Sequence, residues 1–318
     1  MKLASEEFMI PAADPGFELY LRNKRPEDMT AFRPEKVVLY VHGATYPAET
    51  AFDLALDGVS WMEYIAHRGY DVYMVNMRGF GRSTRPPEME QPPQANPPLV
   101  RTETAAADLG AAVEFICRRR GVERLNLLAW SWGTRIAALY TSRNNGKVNR
   151  LVLYAPGWLR TTPSLTDPGG ALGAYRTVTV EAARKRKAFG VPPEKQQELM
   201  PESWFQAWAD VTFSSDPWGA RQTPPVIRAP NGSVLDNREF YSAGKAQYDP
   251  ADIRVPTLLI LAEWDQDTPP YMAQALFPLL VNSPGKRLIL IGEGTHSLLL
   301  EKNRMQLLRE VQLFLDSG

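Results

Sequence analysis

The sequence has little of the material from which specialised sites are usually built. Its 318 residues include 1 cysteine and 3 histidines. No apolar run approaches the ~18 residues of a membrane-spanning helix. A single cysteine excludes an internal disulfide framework and any cysteine-rich zinc cluster. His42, His67 and His296 are too far apart in the chain to suggest a histidine-built metal site, and neither a metal nor an organic cofactor is expected. Charge of one sign is missing as well: 36 Lys+Arg against 36 Asp+Glu give a formal net charge of +0. That balance removes the electrostatic case for a nucleic-acid or anionic-membrane partner. Glu6 and Glu7 stand where a secretory segment would need an apolar run, so the expectation is a cytoplasmic protein acting on a small molecule. Oligomeric state is left open.

What is present alternates. Short apolar runs, expected as strands, recur at Val37–Val41, Val72–Val75, Leu125–Ala129, Leu151–Tyr154, Thr257–Leu261 and Arg287–Ile291. Between them lie helical patterns at about Ser60–His67, Thr102–Arg119, after Ser131, about Tyr271–Leu280, and from the last strand to Leu315. Such alternation is the mark of a parallel sheet covered by helices. A hairpin around Asp14-Pro15-Gly16 opens the chain. Two stretches break the rhythm. Pro86–Pro98 holds six prolines and reads as a long surface loop. The segment 159–253 is far longer than an ordinary connection and reads as an inserted, mainly helical cap on a core made of 1–158 and 254–318. Helical patches are expected in it at Val180–Phe189, Lys195–Met200 and Ser203–Val211.

Chemistry concentrates where strands end. Ala129-Trp130-Ser131-Trp132-Gly133 lies at a strand-to-helix turn, the setting that exposes a serine hydroxyl at the carboxyl edge of a sheet. A serine needs an imidazole base, and the imidazole an orienting carboxylate. Only His296 follows Ser131 in the chain. The acid is sought at the end of the preceding strand, where Asp265 competes with Glu263 and Asp267. Each of these positions is at the carboxyl end of its strand, where open α/β sheets place their sites.

Taken with three further strings, the chain resembles the α/β-hydrolase fold superfamily in its serine-nucleophile branch, close to esterases and proline iminopeptidases. Val41-His42-Gly43-Ala44 is similar to the family's oxyanion loop, Asn76-Met77-Arg78-Gly79-Phe80-Gly81-Arg82-Ser83 to its Asp-x-Arg-Gly-x-Gly-x-Ser loop, and Asp265 with Pro269 to its acid turn. The last spacing favours Asp265 over its competitors. Ala129 replaces the usual elbow glycine, and Asn76 the usual aspartate. The resemblance implies Ser131 as nucleophile, His296 as base, Asp265 as its orienting acid, and the amides of Ala44 and Trp132 as the oxyanion hole. His42 is expected to be structural, and Cys117 to be core. Arg118–Arg120 and Arg184–Lys187 read as solvated helix faces. Tryptophans at strand ends, Trp132 and Trp158 above all, are expected to touch substrate, giving an apolar pocket for a neutral molecule. The leading function is hydrolysis of a carboxylic ester through an acyl-enzyme. Alternatives are a proline-iminopeptidase-like amidase, with Glu181, Glu194, Glu198 or Glu202 of the cap binding a free amine, a hydrolase-fold small-molecule binding protein, and, as a minor case, a carbon–carbon bond hydrolase.

Overall fold

In the computed structural model, which describes residues 1–317, strictly apolar runs become strands buried on both faces. Within Val37–Val41, residues 37, 39 and 41 enter one core cluster and residues 38 and 40 the other. The period of two is satisfied on each side of the sheet, so no polar alternation appears in the sequence. The chain order is β1 Leu3–Pro11, β2 Glu18–Pro26, β3 Val37–Val41, α1 Ala48–Phe52, α2 Trp61–Ala66, β4 Asp71–Val75, α3 Thr102–Arg120, β5 Leu125–Trp130, α4 Trp132–Arg143 and β6 Val148–Tyr154. There follow β7 Tyr175–Thr179, α5 Val180–Lys187, α6 Gln196–Leu199, α7 Glu202–Ser214, β8 Val226–Pro230 and α8 Gly232–Glu239. The chain finishes with β9 Thr257–Ala262, α9 Pro270–Leu276, β10 Arg287–Ile291 and α10 Met305–Asp316.

Eight strands form one sheet in the order β1-β2-β4-β3-β5-β6-β9-β10. The opening hairpin pairs antiparallel, and β2 joins β4 antiparallel; from β4 to β10 every pair is parallel. Helices α3, α4 and α9 cover one face and α1, α2 and α10 the other. Local signals fix several ends. Ser60 and Glu63 form a reciprocal capping box at the start of α2, and Gly121, at φ 65°, closes α3 in the left-handed conformation that glycine adopts without strain.

The insertion between β6 and β9 contains helices at the three expected places, but it also contains a two-stranded antiparallel sheet of β7 and β8. The two strands are short and far apart in sequence, so no turn signal announces their pairing. The proline-rich stretch differs from a plain surface loop. It forms two 3-10 turns, Pro87–Glu90 and Pro93–Ala95, with Met89 fully buried against Ala174 and Tyr175. Arg228 of β8 is held by both oxygens of Asp216 and donates to the Met89 carbonyl and to Glu90. The prolines therefore form the floor on which the insertion rests. They can do so because a segment poor in N–H donors offers carbonyls to its neighbours.

At the elbow between β5 and α4 the chain passes close against the end of β3. A Cβ on Gly133 would lie 2.6 Å from the carbonyl oxygens of both Val41 and His42. Gly133→Ala is expected to lower the unfolding free energy by about 1–3 kcal/mol. Gly146→Ala, whose added methyl meets nothing within 4 Å, should stay within about 0.5 kcal/mol of the parent. Urea denaturation of the two variants tests the difference.

Candidate active site

Five loops meet at the carboxyl ends of β3, β5, β6, β9 and β10. Ser131 sits between β5 and α4 at φ 60°, ψ −122°, a conformation that a residue with a Cβ reaches only at a cost. Its amide donates to the Tyr154 carbonyl (3.0 Å), and its own carbonyl accepts from the Thr134 amide and hydroxyl. Gly43 passes close by, a Cβ there being 3.1 Å from that of Ser131.

The hydroxyl of Ser131 is 2.8 Å from Nε2 of His296, and Nδ1 of His296 is 2.8 Å from Oδ2 of Asp265. Asp265 is wholly buried. Its Oδ1 accepts from the amides of Asp267 and Thr268 (2.9 and 2.8 Å), and Oδ2 accepts from the Thr268 hydroxyl. The imidazole is anchored from behind, because the His296 carbonyl accepts from Trp130 Nε1 and from the Tyr154 hydroxyl, both at 3.0 Å. The structure thus brings Ser131, His296 and Asp265 into one hydrogen-bonded chain. Asp267, the competitor, is engaged elsewhere: Arg186 of α5 reaches its carboxylate through Nε and Nη2. Glu263 is solvent-exposed and accepts from the Glu293 amide.

Electrostatics separate the histidines. Burial alone would lower the pKa of His296, but the Asp265 and Asp267 carboxylates outweigh it and hold the imidazole above its ordinary value. His42 has no such partner. Burial pushes it down to about 4, and its ring nitrogens are occupied by the Gly43 carbonyl (2.7 Å) and the Met77 amide (3.0 Å). Since Met77 donates, Nε2 is the acceptor and Nδ1 carries the proton. His42 thereby ties the loop after β3 to the end of β4. Asn76 does similar work, accepting from the Ala48 amide and donating to Glu49. The amides of Ala44 and Trp132 have no acceptor among the described residues, and both residues line the cavity beside Ser131.

Two small lobes flank the serine. One, about 20 Å³, is walled by Tyr46, Trp130, Ala183 and Lys187 as well as Ser131 and His296. The other, about 40 Å³, is walled by Arg135, Arg160, Ser164, Thr166, Ser233 and Asn237, with Gly157 and Thr268 beneath. Arg186 and Asp267 border both. A larger cavity of about 550 Å³ lies between α5, α6 and α7 and shares Lys187 with the first lobe. No group of three or more histidine, cysteine or carboxylate side chains among the described residues is placed to hold a metal.

Three sequence expectations need correction. The pocket is not an apolar one: Lys187 stands in the wall of the first lobe, Arg186 and Asp267 border both, and the second lobe carries three arginines against one carboxylate. That expectation rested on Trp132 and Trp158, whose rings turn into the core. Next, the Arg184–Lys187 run is not a solvated face. Arg184 and Lys185 pair outward with Glu202 and Glu181, whereas Arg186 and Lys187 turn inward. Burial pushes the Lys187 ammonium down to about 7. Lastly, Trp158 lines neither lobe; it packs against Tyr241 and Tyr248 in the core. The Trp132 ring also points into the core, its Nε1 donating to Thr102, so only its backbone side faces the serine.

Arg135, Arg160 and Arg176 were not anticipated. One signal was available: Arg135 is the single charge in Trp132–Leu139, a helical stretch otherwise of apolar and small residues, one turn beyond Ser131. Arg176 on β7 had none. It donates to the Ala44 carbonyl (2.8 Å) and the Thr45 hydroxyl (2.9 Å), so the insertion itself grips the loop after β3.

A family model of the alpha/beta hydrolase fold matches residues 36–303. The chain belongs to the α/β-hydrolase fold family. No curated protein shows a significant match to the sequence. Among solved structures, the chain is similar to a bromoperoxidase from Bacillus anthracis, with 20% identity and a TM-score of 0.65 over 98% of this chain and 100% of that one. It is similar to 2-hydroxy-6-oxo-6-phenylhexa-2,4-dienoate hydrolase from Rhodococcus sp. strain RHA1, with 14% identity and a TM-score of 0.65 over 99% and 100%. It is also similar to a thermophilic esterase from Thermogutta terrifontis, with 17% identity and a TM-score of 0.55 over 98% and 100%. At these identities the likeness is one of fold. No helix among the described residues is long and apolar enough to cross a membrane.

With three histidines in the chain, a proton NMR titration reads the site directly. One imidazole should titrate above the ordinary histidine value and vanish in His296→Ala. A second, His42, should stay neutral until the pH approaches about 4.

Proposed function

We propose that the protein is a serine hydrolase that cleaves a carboxylic ester of a small molecule through an acyl-enzyme. The observation that carries this reading is the unbroken chain from Ser131 Oγ through His296 to Asp265, with both links at 2.8 Å. In this mechanism Ser131 Oγ attacks the acyl carbonyl carbon while His296 Nε2 takes its proton. Asp265 keeps the proton of the ring on Nδ1 and stabilises the imidazolium. Negative charge developing on the carbonyl oxygen is met by the free amides of Ala44 and Trp132, donors of a kind worth about 10²–10³ in rate each. His296 then returns its proton to the departing alcohol oxygen. Water, deprotonated by the same imidazole, attacks the acyl carbon; the bond to Ser131 Oγ then breaks as His296 returns the proton to that oxygen, and the acid product leaves.

The amidase reading loses its support. Glu181, Glu194, Glu198 and Glu202 are all exposed, and none lines a lobe beside Ser131. A cavity rimmed by arginines repels a free amine. The binding-protein reading has no observation in its favour, since strain at Ser131 and a completed proton relay serve catalysis and add nothing to affinity.

Labelling by a fluorophosphonate probe is expected in the parent and absent in Ser131→Ala; equal labelling of both proteins would overturn the assignment. Asp265→Asn should lose about 10⁴ in kcat, because the amide leaves the ring in the wrong tautomer. The pH profile carries the sign. His296 works as a base only when neutral, and its pKa is raised, so kcat/KM should rise with pH along a limb centred above the ordinary histidine value. An aryl-ester assay across pH 5–9 checks it.

A further inference from the structure

Buried cations in proteins are normally matched by carboxylates, since an isolated buried charge is costly. Arg135 is 4% exposed and breaks this rule. It has no ion-pair partner among the described residues. Its Nη1 donates to the Asn237 side chain (2.8 Å), its Nε has no acceptor, and the guanidinium lies 3.7 Å from the centre of the Tyr241 ring. Burial without a counter-charge lowers its pKa. The one buried carboxylate close in sequence to its partner, Asp236, is already held by Arg101 and the Thr102 amide. Space is kept for the guanidinium by Gly157, whose missing Cβ would sit 2.7 Å from Nε.

The surroundings of Arg135 point the same way. Ser233, 5% exposed, has a hydroxyl with no partner. Ser233 and Asn237 are four residues apart on α8, so they share one face, and both line the lobe beside Ser131. Arg160 lines it too. It is 7% exposed, and its guanidinium donates only to backbone carbonyls, those of Thr162, Pro163 and Asp267. An unmatched guanidinium, a free hydroxyl and a second arginine without a carboxylate therefore converge on a lobe of about 40 Å³. A volume of this kind holds on the order of two or three waters, at roughly 10–15 Å³ each, which is the space of a carboxylate group.

We propose that this lobe is a carboxylate-binding subsite, so that the ester cleaved at Ser131 carries a free carboxylate that supplies the missing counter-charge to Arg135. The proposal rests on the serine-hydrolase reading for its reaction, but not for the subsite itself. Side chains four residues apart on a helix start ~5–6 Å apart, and those of α4 lean toward its N-terminus, so the carboxylate lies a short aliphatic spacer from the scissile carbonyl. The lobe walled by Tyr46, Trp130, Ala183 and Lys187 takes the other side of the ester. Two ester types present this chemistry: half-esters of short dicarboxylic acids, and acyl esters of short hydroxy acids.

The test compares matched pairs by pH-stat. Monomethyl succinate, glutarate and adipate are set against methyl pentanoate, and the acetate esters of 3-hydroxypropanoate and 4-hydroxybutanoate against butyl acetate. In the parent, one carboxylate series should exceed its neutral partner in kcat/KM by about ten- to a hundredfold, the range of a charge-assisted hydrogen bond. Which series does so says whether the subsite serves the acyl or the alcohol side. Arg135→Met should collapse that ratio toward one, and Arg135→Lys should restore part of it. Calorimetric binding of glutarate to Ser131→Ala, lost on adding Arg135→Met, reads the subsite without any turnover. No preference in the parent together with no glutarate binding to Ser131→Ala overturns the subsite and leaves the hydrolase standing. Arg135-dependent glutarate binding with no ester turned over by the parent supports the subsite and overturns the esterase.

Discussion

Everything at this site depends on one steric constraint, the approach of the β5–α4 elbow to the end of β3. Ser131 occupies a left-handed conformation that costs of order 1–3 kcal/mol, and it is held there from three sides. The Tyr154 carbonyl takes its amide, Thr134 takes its carbonyl, and Gly133 slides under the carbonyls of Val41 and His42 with no room for a methyl. The same closeness brings Ala44, at the end of the next strand, to the same cavity as the serine. The Ser131 hydroxyl and the free amides of Ala44 and Trp132 are therefore positioned by one contact between neighbouring parallel strands. His42 reinforces that contact by bonding within its own loop and to β4 at once.

The second organising feature is charge inside a molecule whose total is zero. Arg186, Asp267, His296 and Asp265 form an alternating series that crosses from the cap to the sheet. Asp267 belongs to both partners: it holds Arg186, and it adds to the negative field that raises His296. Removing Arg186 would leave two buried carboxylates beside one imidazole, so helix α5 of the insertion tempers the field that raises His296. Lys187, next in the chain, donates to Ser297 and lies 4.0 Å from the centre of the Trp208 ring. It stands at the boundary between the catalytic lobe and the 550 Å³ cavity of the cap.

Most of the core was legible because its signals are local and redundant. A run such as Val37–Val41, apolar at every position, has one comfortable home, a strand with helices on both faces. Ser131 and His296 were readable because the chain offers so few imidazoles that the base follows once the serine is chosen. Asp265 needed the spacing to Pro269, and the bonds it accepts from the Asp267 and Thr268 amides and the Thr268 hydroxyl explain why it, and not Asp267, faces the imidazole. The insertion was far less legible. The pairing of β7 with β8 joins segments with no turn between them, and the role of the proline stretch as a floor depends on Arg228, well over a hundred residues away. The cations that reshape the pocket were hidden for a related reason. Whether an arginine faces water or a cavity depends on what packs above it, and here that is the cap, which sequence periodicity does not resolve.

The insertion is also bonded directly to two of the loops around Ser131. Arg176 of β7 donates to the Ala44 carbonyl and the Thr45 hydroxyl, and Arg186 of α5 holds Asp267 two residues from Asp265. The insertion thus touches the loop that offers the Ala44 amide and the loop that carries the acid. Burial pushes Arg176 down to about 10, so its charge is retained at neutral pH. The two lobes beside Ser131 hold only a few waters' worth of space, and any displacement of the insertion that widened them would also loosen its grips on both loops.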